Sequence, residues 1–151
     1  MAGTLDSMAS FPERPVGRGR ILLADDDVAL RSLLAFTLEC DGYEVIEAED
    51  GARLLGYLRS AGPVDAVIAD MRMPGGSGVD ALNCLRRYDR STPFVLITAF
   101  GSEELHEQAH AGGATAVLDK PFDLGDLRFL VRRLAPLEAP EKSLYPQEEM
   151  Q

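Results

Sequence analysis

Four stretches end in side chains suited to phosphate or metal chemistry. ILLADDD, residues 21–27, runs from aliphatic residues into Asp25, Asp26 and Asp27. DAVIADMRMPGGSG, residues 65–78, carries Asp70 at the end of its apolar run, FVLITAF delivers Thr98 and AVLDKPF delivers Lys120. Clustered carboxylates repel, by about 1 kcal/mol at 4 Å in water and about 4 near a protein surface, so something must compensate. Helix capping accounts for one of them, Asp27, because Asp is favoured at an N-cap and at the positive end of the helix dipole. Asp25 and Asp26 are surplus to a cap. A hard divalent cation such as Mg²⁺ takes one or two carboxylates and completes its shell with waters and phosphate oxygens. A carboxylate beside Mg²⁺, an ammonium and a hydroxyl is equipped to attack phosphorus, since phosphoryl transfer mainly requires positioning and neutralised oxygen charge. Asp70 is the candidate nucleophile.

Elements able to bring these residues together are visible in the hydropathy pattern. From Arg20 onward, short apolar runs alternate with stretches of helical period, the pattern of a parallel sheet covered on both faces. The expected strands are Ile21 to Ala24, Tyr43 to Glu47, Ala66 to Ala69, Phe94 to Thr98 and Ala116 to Leu118. A helix follows each. The first should bury Leu30, Leu33, Leu34, Thr37 and Leu38 and end near Asp41-Gly42. The second should be capped by Asp50 and bury Leu54, Leu55 and Leu58. The third should open on a Ser77/Asp80 capping box and bury Ala81, Cys84, Leu85 and Tyr88. Ser102 should cap the fourth. The last, about Leu124 to Leu134, should bury Leu127, Leu130, Val131 and Leu134. In an open parallel sheet, function gathers at the carboxyl ends of the strands, where Asp25, Asp26, Asp70, Thr98 and Lys120 all fall.

Competing motifs are weaker. HEQAH, residues 106–110, matches the H-E-x-x-H zinc-protease pattern, but such a site needs a third protein ligand. The chain has only His106 and His110. Glu138 would have to come from the tail, with Glu107 as base. A Mg²⁺ phosphohydrolase acting through Asp70 on an external substrate is the other enzyme reading. PGGSG reads as a flexible strand-to-helix turn, and GRGR precedes a strand where a dinucleotide fingerprint must follow one.

The 151 residues suit one domain, and a net charge of −10 argues against nucleic-acid or anionic-membrane partners. Cys40 and Cys84 fall in helical stretches and read as buried free thiols of a reducing, cytoplasmic compartment. No signal-peptide h-region or 18-residue apolar run is present. Residues 1–19 and 136–151, rich in Pro, Gly and charge, are expected to be mobile tails (the latter alternatively a truncated linker) around a domain at 20–135.

The joint pattern resembles the receiver domain of two-component response regulators over roughly Arg20 to Ala135. It rests on DDD after the first strand, D-M-R-M-P-G from Asp70, I-T-A ending the fourth strand and D-K-P-F after the fifth. The resemblance implies a doubly wound, flavodoxin-like sheet of order 2-1-3-4-5 with five helices. It implies that Asp70 accepts a phosphoryl group from a sensor histidine kinase or phosphotransfer protein. Asp25, Asp26, Asp70 and the Arg72 backbone carbonyl would hold Mg²⁺, Thr98 and Lys120 would grip phosphoryl oxygens, and the Lys120-Pro121 bond would be cis. Such a domain is a signalling switch rather than an enzyme on external substrates. It uses the fourth helix, fifth strand and fifth helix for homodimers or effectors, with Phe129, flanked by Arg128, Arg132 and Arg133, as a candidate anchor. Arg72 and Phe100 border the site and are candidates to tune hydrolysis. The chain departs from the family at Val117, where a Tyr or Phe is frequent.

Overall fold

The computed structural model describes residues 19–60 and 62–137. Five strands alternate with five helices: β1 (Arg20–Ala24), α1 (Val28–Cys40), β2 (Glu44–Ala48), α2 (Gly51–Ser60), β3 (Ala66–Asp70), α3 (Gly78–Arg86), β4 (Phe94–Thr98), α4 (Glu103–Ala111), β5 (Ala116–Asp119) and α5 (Leu124–Leu134). All four strand pairs are parallel, in the order β2-β1-β3-β4-β5. The expected tails lie outside the described residues, apart from Gly19, Pro136 and Leu137.

Strand alternation divides the core in two. Ile21, Leu23, Ile68, Val95 and Ile97 face α1 and α5, meeting Leu34, Leu38, Leu127 and Val131. Leu22, Ala24, Val67, Ala69 and Leu96 face α2, α3 and α4, meeting Leu54, Leu82, Leu85 and Ala109. The three central strands are buried throughout, whereas β2 and β5, at the sheet edges, are only half-buried. Burial at roughly 25 cal/mol per Å² of apolar surface is what holds the helices on the sheet.

Local signals fix the helix starts. Asp27, Asp50 and Ser102 accept backbone N–H groups of Leu30, Arg53 and Leu105, and Ser77 and Asp80 form the reciprocal capping box. Some expected faces shift. Leu33 and Tyr88 are exposed, because α1 turns Leu34, Ala35 and Leu38 to the sheet and α3 ends before Tyr88. Cys40, at the outward end of α1, is exposed and Cys84 is half-buried, both free, rather than the buried pair expected. Tyr43 lies just before β2, not in it, and its buried hydroxyl donates to the Ala135 carbonyl at 2.7 Å, tying the β2 entry to the end of α5.

Arg86 was not foreseen as structural. It is almost fully buried and donates to the carbonyls of Asp89, Thr92 and Gly113, joining α3 to the two loops that enter β4 and β5. Burial lowers its guanidinium pKa, and three carbonyl acceptors satisfy it where water cannot.

Candidate functional site

The carboxyl ends of β1 and β3 are adjacent because those strands pair directly, Ala24 opposite Ala69. Asp25 and Asp26 follow β1 and Asp70 ends β3. Each can offer a carboxylate oxygen within 4.8 Å of the others', and among the described residues they form the one such cluster of His, Cys, Asp or Glu. Asp25 and Asp70 are buried while Asp26 is exposed, so the cluster is open on one side.

The two buried carboxylates are each held from behind. Asp25 Oδ1 accepts the Asp27 N–H at 2.9 Å, and Asp70 Oδ1 accepts the Arg72 N–H at 3.0 Å. Lys120, the residue after β5, places Nζ 2.8 Å from Asp70 Oδ2 and 3.6 Å from Asp25 Oδ2. The latter oxygen is buried without a hydrogen-bond partner. Burial raises the Asp25 pKa above the ordinary carboxylate value; the Asp27 N–H opposes this and the Asp70 charge adds to it. An orphaned, desolvated oxygen beside two further carboxylates is the donor set a hard cation fits, and the lysine alone leaves it short of a partner.

Thr98 sits one residue beyond Ile97, the register partner of Asp70, and its buried Oγ1 accepts the Phe100 N–H at 3.1 Å. The Arg72 guanidinium lies over the Phe100 ring, 5.2 Å from its centroid, linking the β3–α3 and β4–α4 loops beside the site. The Lys120-Pro121 peptide is cis. Asp25, Asp26 and Asp70 thus cluster, Lys120 reaches Asp25 and Asp70, and Thr98 ends the neighbouring strand.

Other features had no clear signal in the sequence. Arg31, on α1, donates to the Asp25 carbonyl at 2.7 Å and to Glu47 at 3.0 Å, clamping the acidic loop. Gly78 opens α3 so close beneath Asp70 that a Cβ would overlap the Asp70 carbonyl oxygen, and one at Gly51 would overlap that of Gly76. PGGSG is therefore tightly fitted rather than merely flexible: Gly75 and Gly76 have φ of 77° and 127°, a region most side chains avoid.

The zinc motif does not assemble a centre. His106 Nε2 lies 2.9 Å from Asp119 Oδ1 and His110 Nδ1 lies 3.2 Å from the Ala114 carbonyl. Glu138 is outside the described residues. Phe129 is exposed on α5, with Arg133 stacked 5.7 Å from its ring centroid, and it lines a shallow groove with Asp41, Gly125, Arg128 and Arg132.

Parallel order, switch-point carboxylates and an opposed lysine define an α/β fold of the receiver class. Residues 21–132 match the response regulator receiver domain family, and the chain belongs to that family. It is 34% identical over 125 residues to the regulatory protein AtoC of Escherichia coli, covering 83% of this chain and 27% of that protein. It is 29% identical over 120 residues to sporulation initiation phosphotransferase F of Bacillus subtilis, covering 80% of this chain and 96% of that one. The solved receiver domain of Francisella response regulator 1452 superposes with a TM-score of 0.75 at 27% identity, covering 78% of this chain and 97% of that domain. The chain thus spans about a quarter of the length of AtoC but nearly all of the phosphotransferase. It is a receiver domain of two-component response regulators, a signalling domain. Among the described residues no helix is long and apolar enough to cross a membrane.

Proposed function

We propose that this domain accepts a phosphoryl group on Asp70 from the phosphohistidine of a sensor histidine kinase or phosphotransfer protein in the cytoplasm, and signals through the resulting change in its surface. The observation that carries this reading is the buried Asp25 Oδ2, left without a hydrogen-bond partner beside Asp26, Asp70 and Lys120.

Asp25, Asp26, Asp70 and the Arg72 carbonyl would hold Mg²⁺, which would neutralise charge on the transferred oxygens. The Arg72 N–H and Lys120 ammonium orient the Asp70 carboxylate. One carboxylate oxygen attacks phosphorus; the phosphorus–nitrogen bond of the donor breaks, its electron pair stays on the departing imidazole, and an acyl phosphate forms. Lys120 then faces the new oxygen charge and the Thr98 hydroxyl donates to it. Attack of water on phosphorus returns Asp70, so the only turnover is the domain's own phosphorylation and dephosphorylation. Output would leave through the α4–β5–α5 face as a homodimer or effector contact in which Phe129 is the anchor.

Incubation with Mg²⁺ and acetyl phosphate should add one phosphoryl group by intact mass, absent in Asp70→Asn. Labelling that persists in that variant would remove the proposal. Stoichiometric zinc lost in His106→Ala would support a peptidase instead, and multiple-turnover phosphate release from a small substrate would support a hydrolase.

A further inference from the structure

His106 is unused by the site above, yet it is tied to it. The residue lies on the first turn of α4, and its bridge reaches Asp119, the last residue of β5. Asp119 is the register partner of Thr98 and precedes Lys120, whose own N–H donates to the Thr98 carbonyl at 2.7 Å. The loop from Ala99 to Ser102 joins Thr98 to α4. Its Gly101 packs so closely on Asp119 that a Cβ would overlap the carboxylate and lie 3.0 Å from His106 Nε2.

These contacts close a ring: Thr98, the β4–α4 loop, α4, His106, Asp119, and across the sheet back to Thr98. Inside it the loop is short and wedged, with the Phe100 N–H bound to Thr98 Oγ1. Any displacement of Thr98 toward Asp70 pulls Phe100 and Gly101 along. Either the His106–Asp119 bridge yields or α4 moves with the loop. Position 117 holds a half-buried valine packed in the α2–α4 face of the core, too small to span strand and surface.

We propose that His106 and Asp119 are positioning residues that couple the phosphoryl state of Asp70 to the placement of α4, an inference that rests on Asp70 being the phosphoacceptor. The bridge resists the loop shift that draws Thr98 onto a phosphoryl oxygen. By linkage, occupancy of the site weakens the bridge by the same factor. His106 and Asp119 are 31% and 52% exposed, so the effect is graded rather than absolute.

The test is beryllium fluoride affinity of the full chain in saturating Mg²⁺, by calorimetry, together with amide exchange over α4. His106→Ala and Asp119→Ala should each tighten binding by about two- to five-fold, the range a part-exposed pair supports. The double variant should tighten it no further, and His106→Gln, which can still donate to Asp119, should stay near the parent. Beryllium fluoride should change exchange at Glu103 to Glu107 in the parent and not in His106→Ala. Unchanged affinity in both single variants, additive effects in the double, or a parent-like α4 response in His106→Ala would overturn the coupling while leaving the phosphoacceptor reading intact. A parent chain that binds no beryllium fluoride would overturn both.

Discussion

The Lys120 ammonium nitrogen lies 2.8 Å from Oδ2 of Asp70, the shortest ion pair in the site. Burial alone would lower the lysine pKa, but the Asp70 and Asp25 carboxylates outweigh it and hold it above the ordinary value. The site therefore carries a permanent positive charge that competes with any cation for the same carboxylates. Lys120→Ala should bind Mg²⁺ more tightly, by up to about tenfold in a titration, while acetyl phosphate labelling of Asp70 slows by about a hundredfold or more.

Asp25 should be a stability liability without metal. It is fully buried, one oxygen lacks a hydrogen-bond partner, and its pKa is raised. Because the folded state holds this proton to higher pH than the unfolded state, metal-free stability falls as pH rises above 3.8 through the raised value. Asp25→Asn keeps an acceptor for the Asp27 N–H and removes the charge. At pH 7 without Mg²⁺ it should be about 1–2 kcal/mol more stable than the parent in denaturant melts, and added Mg²⁺ should stabilise it far less.

Gly78→Ala tests whether the turn beneath Asp70 is tightly fitted. The added methyl has to displace the Asp70 carbonyl or the Leu96 side chain, 3.0 Å away. A loss of about 2 kcal/mol or more in stability is expected, with weakened Mg²⁺ binding because Asp70 moves.

A remote acid sensor of folding is Asp89. Its carboxylate accepts the Thr92 hydroxyl at 2.5 Å and the backbone N–H groups of Thr92 and Ser91, and its pKa is lowered to about 2 with the Thr92 hydroxyl as the main cause. A lowered folded pKa makes the stabilisation complete above 3.8 and lost as pH falls toward 2. Asp89→Asn should be less stable by about 1–2 kcal/mol at pH 7, and the gap should close in acid melts.

The alternation of apolar runs and helical periods, the caps at Asp27, Asp50, Ser77 and Ser102, and the five polar residues at strand ends were all legible in the chain itself. Each depends on neighbours within a few positions, so local spacing encodes it. The faces of α1 and α3 were less legible. A stripe of leucines on α1 is wider than the surface the sheet covers, so Leu33 reads as core by period but lies in solvent. The strand order came from resemblance to receivers, since nothing in composition dictates which parallel strands pair.

What the amino-acid sequence determined was the chemistry: three aspartates, a threonine and a lysine, each at the end of an apolar run, with a −10 chain around them. Only the tertiary structure decided which oxygen of Asp25 is left without a partner, that Arg31 clamps its carbonyl, that Arg86 ties its helix to two loops, and that His106 belongs to Asp119 rather than to zinc. Those relationships join residues distant in the chain. They exist because β1 lies between β2 and β3 and β4 beside β5, and packing, not sequence spacing, brings such side chains within bonding distance.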